Sequence, residues 1–424
     1  MHQQESEWGL VTRRRLLALA GGALVVAGCS SGEKQSAGKE GRDAAGSDVT
    51  GKAAAGGGAG GPAGILGANF NEDPDSVTFD ELSELSASWL RGFVPMPEVE
   101  EDASQQRAVK KLLDAHRQKY GTVLSLKFPY NNRPLPQPDS PAMAAELDRV
   151  DKVLHAVLDS VDVLAIGNEP FIESLQPDRD SGALNAFYEK VAAHVIAYRK
   201  KHFPKGCRTH LYMGALNFLD QPDKRTKATE RWLSYTRDTP EIEGVDIHPH
   251  VAGPENVQAY LDYVLPRMRK EQKFLVTEFS LVKLWEQHMK DVVPAPYARR
   301  YGLPQDTRVW QVIKQAIEHP VPADQWRDFL AMSPWFENHK HFLQNQVRRF
   351  RDTGRLAVAT YGVTQARAMT ENFGPDKQPW LLNSLYANRT VEAPGGGLPA
   401  HGYGFFDDFK ALQRPQDGRP VKKS

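Results

Sequence analysis

The stretch that most constrains the fold of this chain is Val163-Leu164-Ala165-Ile166-Gly167-Asn168-Glu169-Pro170. An unbroken apolar run with no polar alternation reads as a strand covered on both faces, as a parallel sheet requires. Proline cannot continue a central strand, so the run stops there and leaves Glu169 at the strand's C-terminal end. A second stretch, Phe274-Leu275-Val276-Thr277-Glu278-Phe279-Ser280, repeats the design with Glu278 as its terminal carboxylate.

From Gly64 onward such apolar runs alternate with amphipathic helical stretches, the pattern of βα units around a parallel sheet. Strands are predicted over residues 65–70, 88–94, 122–128, 163–169, 210–217, 244–250, 274–278 and 356–362. Helices are predicted near 104–120, from Ser140-Pro141 onward, near 182–202 and near 256–271. Ser140 acts as a cap with proline in the first turn, and Gly121 as a stop. Eight strands over about 360 residues fit a (β/α)8 TIM barrel. A large helical insertion is predicted between strands 7 and 8, about 281–350. It carries Trp285, Trp310, Trp326 and Trp335, which either wall the site or form the insertion's own core.

The N-terminus reads as an address. Thr12-Arg13-Arg14-Arg15 precedes an apolar run of about a dozen residues, too short to span a bilayer comfortably. The arginine pair resembles a twin-arginine signal, and Val26-Ala27-Gly28-Cys29 resembles a bacterial lipobox. These resemblances imply a signal peptide over 1–28, cleavage before Cys29 and lipidation of that cysteine. Residues 29–63, rich in Gly, Ala, Ser and Lys, lack the apolar side chains for a core and read as a tether. The body, 64–415, is then expected outside the cytoplasmic membrane or at the cell surface, touching the membrane only through its anchor. With Cys29 assigned to the address, Cys207 is left alone and no internal disulfide framework is possible.

Formal net charge is zero, so a nucleic-acid partner has no compositional support. No phosphate-cradling loop and no dinucleotide fingerprint follow a first strand, and no cofactor is expected. In a closed eight-stranded barrel the fourth and seventh strands lie across the mouth from one another. Glu169 and Glu278 can therefore face each other there. Two opposed carboxylates in environments that separate their pKa values are what glycosidic-bond cleavage needs.

At these residues the chain resembles the clan A glycoside hydrolases, (β/α)8 retaining enzymes. Asn168-Glu169-Pro170 and Thr277-Glu278-Phe279 look like the family's two signature strand ends. The resemblance implies that Glu169 is the general acid/base, Glu278 the nucleophile, Asn168 a ligand of the sugar 2-hydroxyl, and Arg91 a support for the nucleophile. Ile247-His248-Pro249-His250 looks like the family's sixth strand, with His250 where tyrosine is commoner. Tyr212, Asn217, Tyr361 and Trp380 are weaker substrate-binding candidates, as is the third-strand rim Phe128-Pro129-Tyr130-Asn131-Asn132. The substrate implied is a polysaccharide or oligosaccharide.

Two other readings remain open. A barrel that holds glycan without turning it over would carry the same residues. His248 and His250, two apart on a strand, point the same way and with a carboxylate suit a metal-dependent hydrolase, although Pro249 breaks regular strand geometry.

Overall fold

The computed structural model describes residues 61–71 and 73–414. The expected signal, Cys29 and nearly all of the tether lie outside them. Within them, eight parallel strands close into a barrel in strict sequence order. They are β1 (Ile65–Asn69), β2 (Trp89–Pro95), β3 (Gly121–Lys127), β4 (Val163–Ile166), β5 (His210–Asn217), β6 (Gly244–His248), β7 (Lys273–Val276) and β8 (Leu356–Gly362). β1 pairs with β8, which closes the ring. The (β/α)8 barrel expected from the alternation of runs is the fold observed.

Most of the strand residues are buried on both faces, which explains the missing polar alternation. Two cores result. Leu66, Leu90, Leu124, Leu164 and Val276 belong to the large outer core between barrel and helices. Ile65, Trp89, Val123, Val163, Tyr212 and Leu275 form a separate cluster that fills the barrel's interior. The interior is thus a packed floor on which a mouth can be built, not a pore.

The helices follow their sequence signals. Pro141–Val157 starts at Ser140, whose hydroxyl accepts from the Met143 amide, and buries Val150, Val153, Leu154 and Val157. Arg107–Arg117 buries Val109 and Leu112 at helical spacing. The predicted 256–271 helix is a shorter α-helix, Asn256–Val264, followed by a 3-10 turn at Leu265–Arg267, where Pro266 interrupts the α pattern.

Between β7 and β8 the chain forms six helices, from Val282–Gln287 to Phe342–Asp352. Their tryptophans pack as a core. Trp285 is fully buried, stacks on Phe336 and donates through Nε1 to Asn383 Oδ1 at 3.0 Å. Trp326 is buried, and Trp310 and Trp335 lean on the same core. Cys207 is half-buried and has no disulfide partner among the described residues. Among those residues no helix is long and apolar enough to cross a membrane.

Candidate active site

Strand β4 ends at Ile166, and Gly167 then turns the chain with a φ of +109°. A Cβ at Gly167 would lie 2.8 Å from Pro170 Cγ and 2.9 Å from Tyr188 Cε1. Glycine alone combines that backbone with that space. The turn aims Asn168 and Glu169 over the barrel mouth. Across it, Glu278 follows the end of β7 by two residues. One carboxylate oxygen of each lies within 4.8 Å of the other, with a nitrogen of His248 and of His250 inside the same radius. Both glutamates keep about a fifth of their side-chain surface open to solvent.

Arg91 organises the Glu278 side. It is fully buried on β2, and its fork donates from Nη1 to Glu278 Oε1 and from Nη2 to Asn168 Oδ1, both at 2.6 Å. Longer contacts run to Asn69 and Ser125. A planar guanidinium can hold two acceptors at fixed spacing, which a lysine cannot. Arg91 therefore ties the carboxylate of one strand end to the amide of the other.

The other side is a relay. Thr277 donates its hydroxyl hydrogen to Asp246 and its amide hydrogen to the same carboxylate at 3.0 Å. With its only proton used, Thr277 Oγ1 accepts from His248 Nε2 at 2.8 Å. His248 Nδ1 then faces Glu169 Oε1 at 3.1 Å, and a bond there requires one proton shared by the pair. Asn217, at the end of β5, donates to the same Glu169 oxygen at 2.8 Å. The next residue, Phe218, sits in the left-handed region at φ +59°, a strained turn of the kind that clusters at functional sites.

Electrostatics places that proton. Burial pushes the Glu169 carboxyl up, but the hydrogen bond and charge of His248 prevail, helped by His250 and Lys127, and pull it down to about 2. Burial opposes charge on His248, yet Glu278, Asp246 and Glu169 raise it to about 10. At neutral pH the shared proton rests on the imidazole, and Glu169 is ionised beside it. His250 is different. Burial outweighs both glutamates and lowers it to about 4, so it is neutral. Its Nδ1 bonds Ser280 Oγ at 2.8 Å, and its Nε2 points at Glu278 Oε2 from 3.8 Å.

Glu173, one turn beyond Glu169, is a further carboxylate in the wall. Its Oε1 accepts from Asn168 Nδ2 at 2.8 Å, and its Oε2 is buried without a hydrogen-bond partner. Burial raises it to about 7, with Lys127 opposing and Glu169 reinforcing the rise.

Of the sequence candidates, Arg91, Asn168, Glu169, Asn217, His248, His250 and Glu278 converge on one site. Trp380 joins them, its ring edge-on to His250 at 4.9 Å. Pro249 does not splay the histidines; their rings lie 6.0 Å apart on the same side. Two candidates are corrected. Tyr212 points into the barrel but is buried in the interior floor with Val123 and Leu275. Tyr361 points outward and packs between Phe279 and Phe405. On the third-strand rim, Phe128 and Tyr130 are likewise buried, Phe128 against Phe187 and Tyr188, and Tyr130 bonded to Glu146. The sequence reading missed Asp246, Thr277, Ser280, Glu173 and Lys127. Asp246 alone carried a signal, as a lone acid inside an apolar strand.

No protein-family model matches the chain, and a comparison with curated proteins finds no match. Solved structures similar to it include fungal β-1,4-galactanases, with a TM-score of 0.45 and 12% identity over 81% of this chain and 99% of that one. A β-mannanase from Thermomonospora fusca follows, with a TM-score of 0.41 and 14% identity over 81% of this chain and 93% of that one. A β-mannanase from Streptomyces thermolilacinus has a TM-score of 0.37 and 13% identity over 74% of this chain and 86% of that one. At such distances it is the chain's own strand pairing that establishes the barrel.

Proposed function

We propose that the protein is an exported glycoside hydrolase that cleaves O-glycosidic bonds by a retaining double displacement. The observation that carries the reading is the pair Glu169 and Glu278, facing across the mouth with oxygens within 4.8 Å of one another. Retaining enzymes hold their carboxyl groups about 5–5.5 Å apart, whereas inverting ones leave about 6.5–9.5 Å for a water, and a single oxygen pair within 4.8 Å favours the shorter spacing. Glu278, steered by Arg91, attacks the anomeric carbon as the glycosidic C–O bond breaks. The leaving oxygen takes a proton from Glu169, which His248 replenishes through Nδ1. In the second half Glu169 accepts a proton from water, the water oxygen bonds to the anomeric carbon, and Glu278 is released. The His248 relay lets a carboxyl that is ionised at rest serve as an acid, because the pair as a unit still holds one proton. Asn168, held by Arg91 and Glu173, is positioned for a sugar hydroxyl, and Trp380 for a sugar face. Export and lipidation at Cys29 rest on the arginine pair and lipobox of the sequence.

The test is turnover of a panel of activated aryl glycosides by the wild type, Glu278→Ala and Glu169→Ala. Expected is an active wild type, a Glu278→Ala variant without activity, and rescue of that variant by azide with inverted product. Absence of turnover on aryl glycosides and natural glycans, together with tight glycan binding, would replace the hydrolase by a glycan-binding barrel.

A further inference from the structure

We propose that Glu169, Glu278, His248 and His250 form a four-coordinate site for a zinc-type divalent cation, and that occupancy switches the site off. The inhibitory half rests on the glycosidase reading; the binding half does not.

Metal-binding histidines hold their orientation by donating the other ring N–H to an oxygen behind them. Both histidines have an oxygen in that place. His248 Nε2 is tied to Thr277 Oγ1, and Thr277 in turn to Asp246. His250 Nδ1 is tied to Ser280 Oγ. The remaining nitrogens face inward, His248 Nδ1 at 3.1 Å from Glu169 Oε1 and His250 Nε2 at 3.8 Å from Glu278 Oε2. A tetrahedral zinc with bonds of about 2.0–2.1 Å sets its ligand atoms about 3.4 Å apart. The two observed separations bracket that value, and all four ligand atoms lie within 4.8 Å of one another. Arg91 occupies only Oε1 of Glu278, which leaves Oε2 available. Mixed imidazole and carboxylate donors suit zinc, whereas magnesium prefers oxygen ligands throughout.

The ligand count decides the consequence. Catalytic zinc has three protein ligands and an open position for water; sites with four are closed. Four protein ligands here leave no place for an activated water. Binding also engages the Glu278 oxygen needed for attack. The cation therefore inhibits rather than drives hydrolysis.

Titration calorimetry of zinc alone into the metal-free full chain tests binding. Expected is one zinc per chain, no binding in His250→Asn, and affinity about 10–100-fold weaker in Ser280→Ala, which removes only the oxygen behind His250. Thermal melting verifies that each variant is folded, and Ser280→Ala carries the test should His250→Asn not fold. Magnesium at the same concentration is expected to give no heat. On any glycoside the chelated wild type turns over, stoichiometric zinc is expected to abolish turnover and a chelator to restore it. No zinc heat, or heat unchanged in both variants, overturns the site. Zinc that raises turnover overturns the closed coordination. If the chelated protein binds zinc at these residues but hydrolyses no glycoside, the glycosidase reading and the inhibitory role fall together while the metal site stands.

Discussion

His248→Asn isolates the proton relay. In the wild type, His248, helped by His250 and Lys127, pulls Glu169 from an ordinary 4.5 to about 2 against the opposing effect of burial. At about 1.36 kcal/mol per pH unit that is ~3 kcal/mol of net stabilisation of the carboxylate. The pair keeps its one proton until His248 gives it up near pH 10. Asparagine keeps a hydrogen-bond donor but no charge, so burial is less opposed and Glu169 is expected to rise. Buried glutamates reach at most about 8–9. The proton that serves the leaving group is then lost at least about one pH unit earlier than in the wild type. The assay is kcat/KM from pH 5 to 10.5 on two glycosides of the same sugar, one with a poor leaving group and one with a dinitrophenolate. With the poor leaving group, the basic limb of the variant is expected to move down by about one unit or more. With the dinitrophenolate, which needs no proton, the limbs are expected to coincide. Superimposed limbs on the poor leaving group would refute the relay. Stability gives an independent check. The folded pKa of His248 lies above its unfolded value near 6.5, so the stability it lends is complete below pH 6.5 and drains away as pH rises to about 10. The wild-type Tm is expected to fall over that window more steeply than the Tm of the variant.

Three further substitutions probe the surroundings. Burial holds Glu173 up to about 7, so the stability of its neutral form is complete below pH 4.5 and drains as pH rises to about 7. Glu173→Gln never ionises and is expected to gain up to ~3 kcal/mol over the wild type at pH 8 and nothing at pH 4.5; equal shifts in Tm at both pH values would contradict this. Arg91→Lys keeps the charge but cannot hold Glu278 and Asn168 at once. Its kcat is expected to fall about 100-fold or more, and a fall under threefold would remove Arg91 from the positioning role. Gly167→Ala forces a side chain into the left-handed turn against Pro170 and Tyr188. It is expected to cost about 1–3 kcal/mol by denaturant unfolding, and an unchanged midpoint would show that the turn is not strained.

What the sequence by itself determined is the barrel and the two strand ends. Unbroken apolar runs spaced by amphipathic helices admit few arrangements other than a parallel sheet covered on both sides. A proline or polar break at the end of such a run marks where a carboxylate leaves the sheet. For that reason Asn168, Glu169 and Glu278 were legible, whereas Arg91 was reached only through the resemblance. The face of each strand residue was not legible. Where both faces are apolar, a period of two carries no polar marker, so Tyr212 and Tyr361 read alike although one fills the interior floor and the other packs outward against Phe279. The proton relay was also decided only by the tertiary structure. His248, Thr277 and Glu169 come from three different strand ends, 29 and 79 residues apart from His248 in sequence. Ring closure brings them within hydrogen-bond distance, and only there does the burial of His248 beside Asp246, Glu169 and Glu278 determine which of them holds the proton.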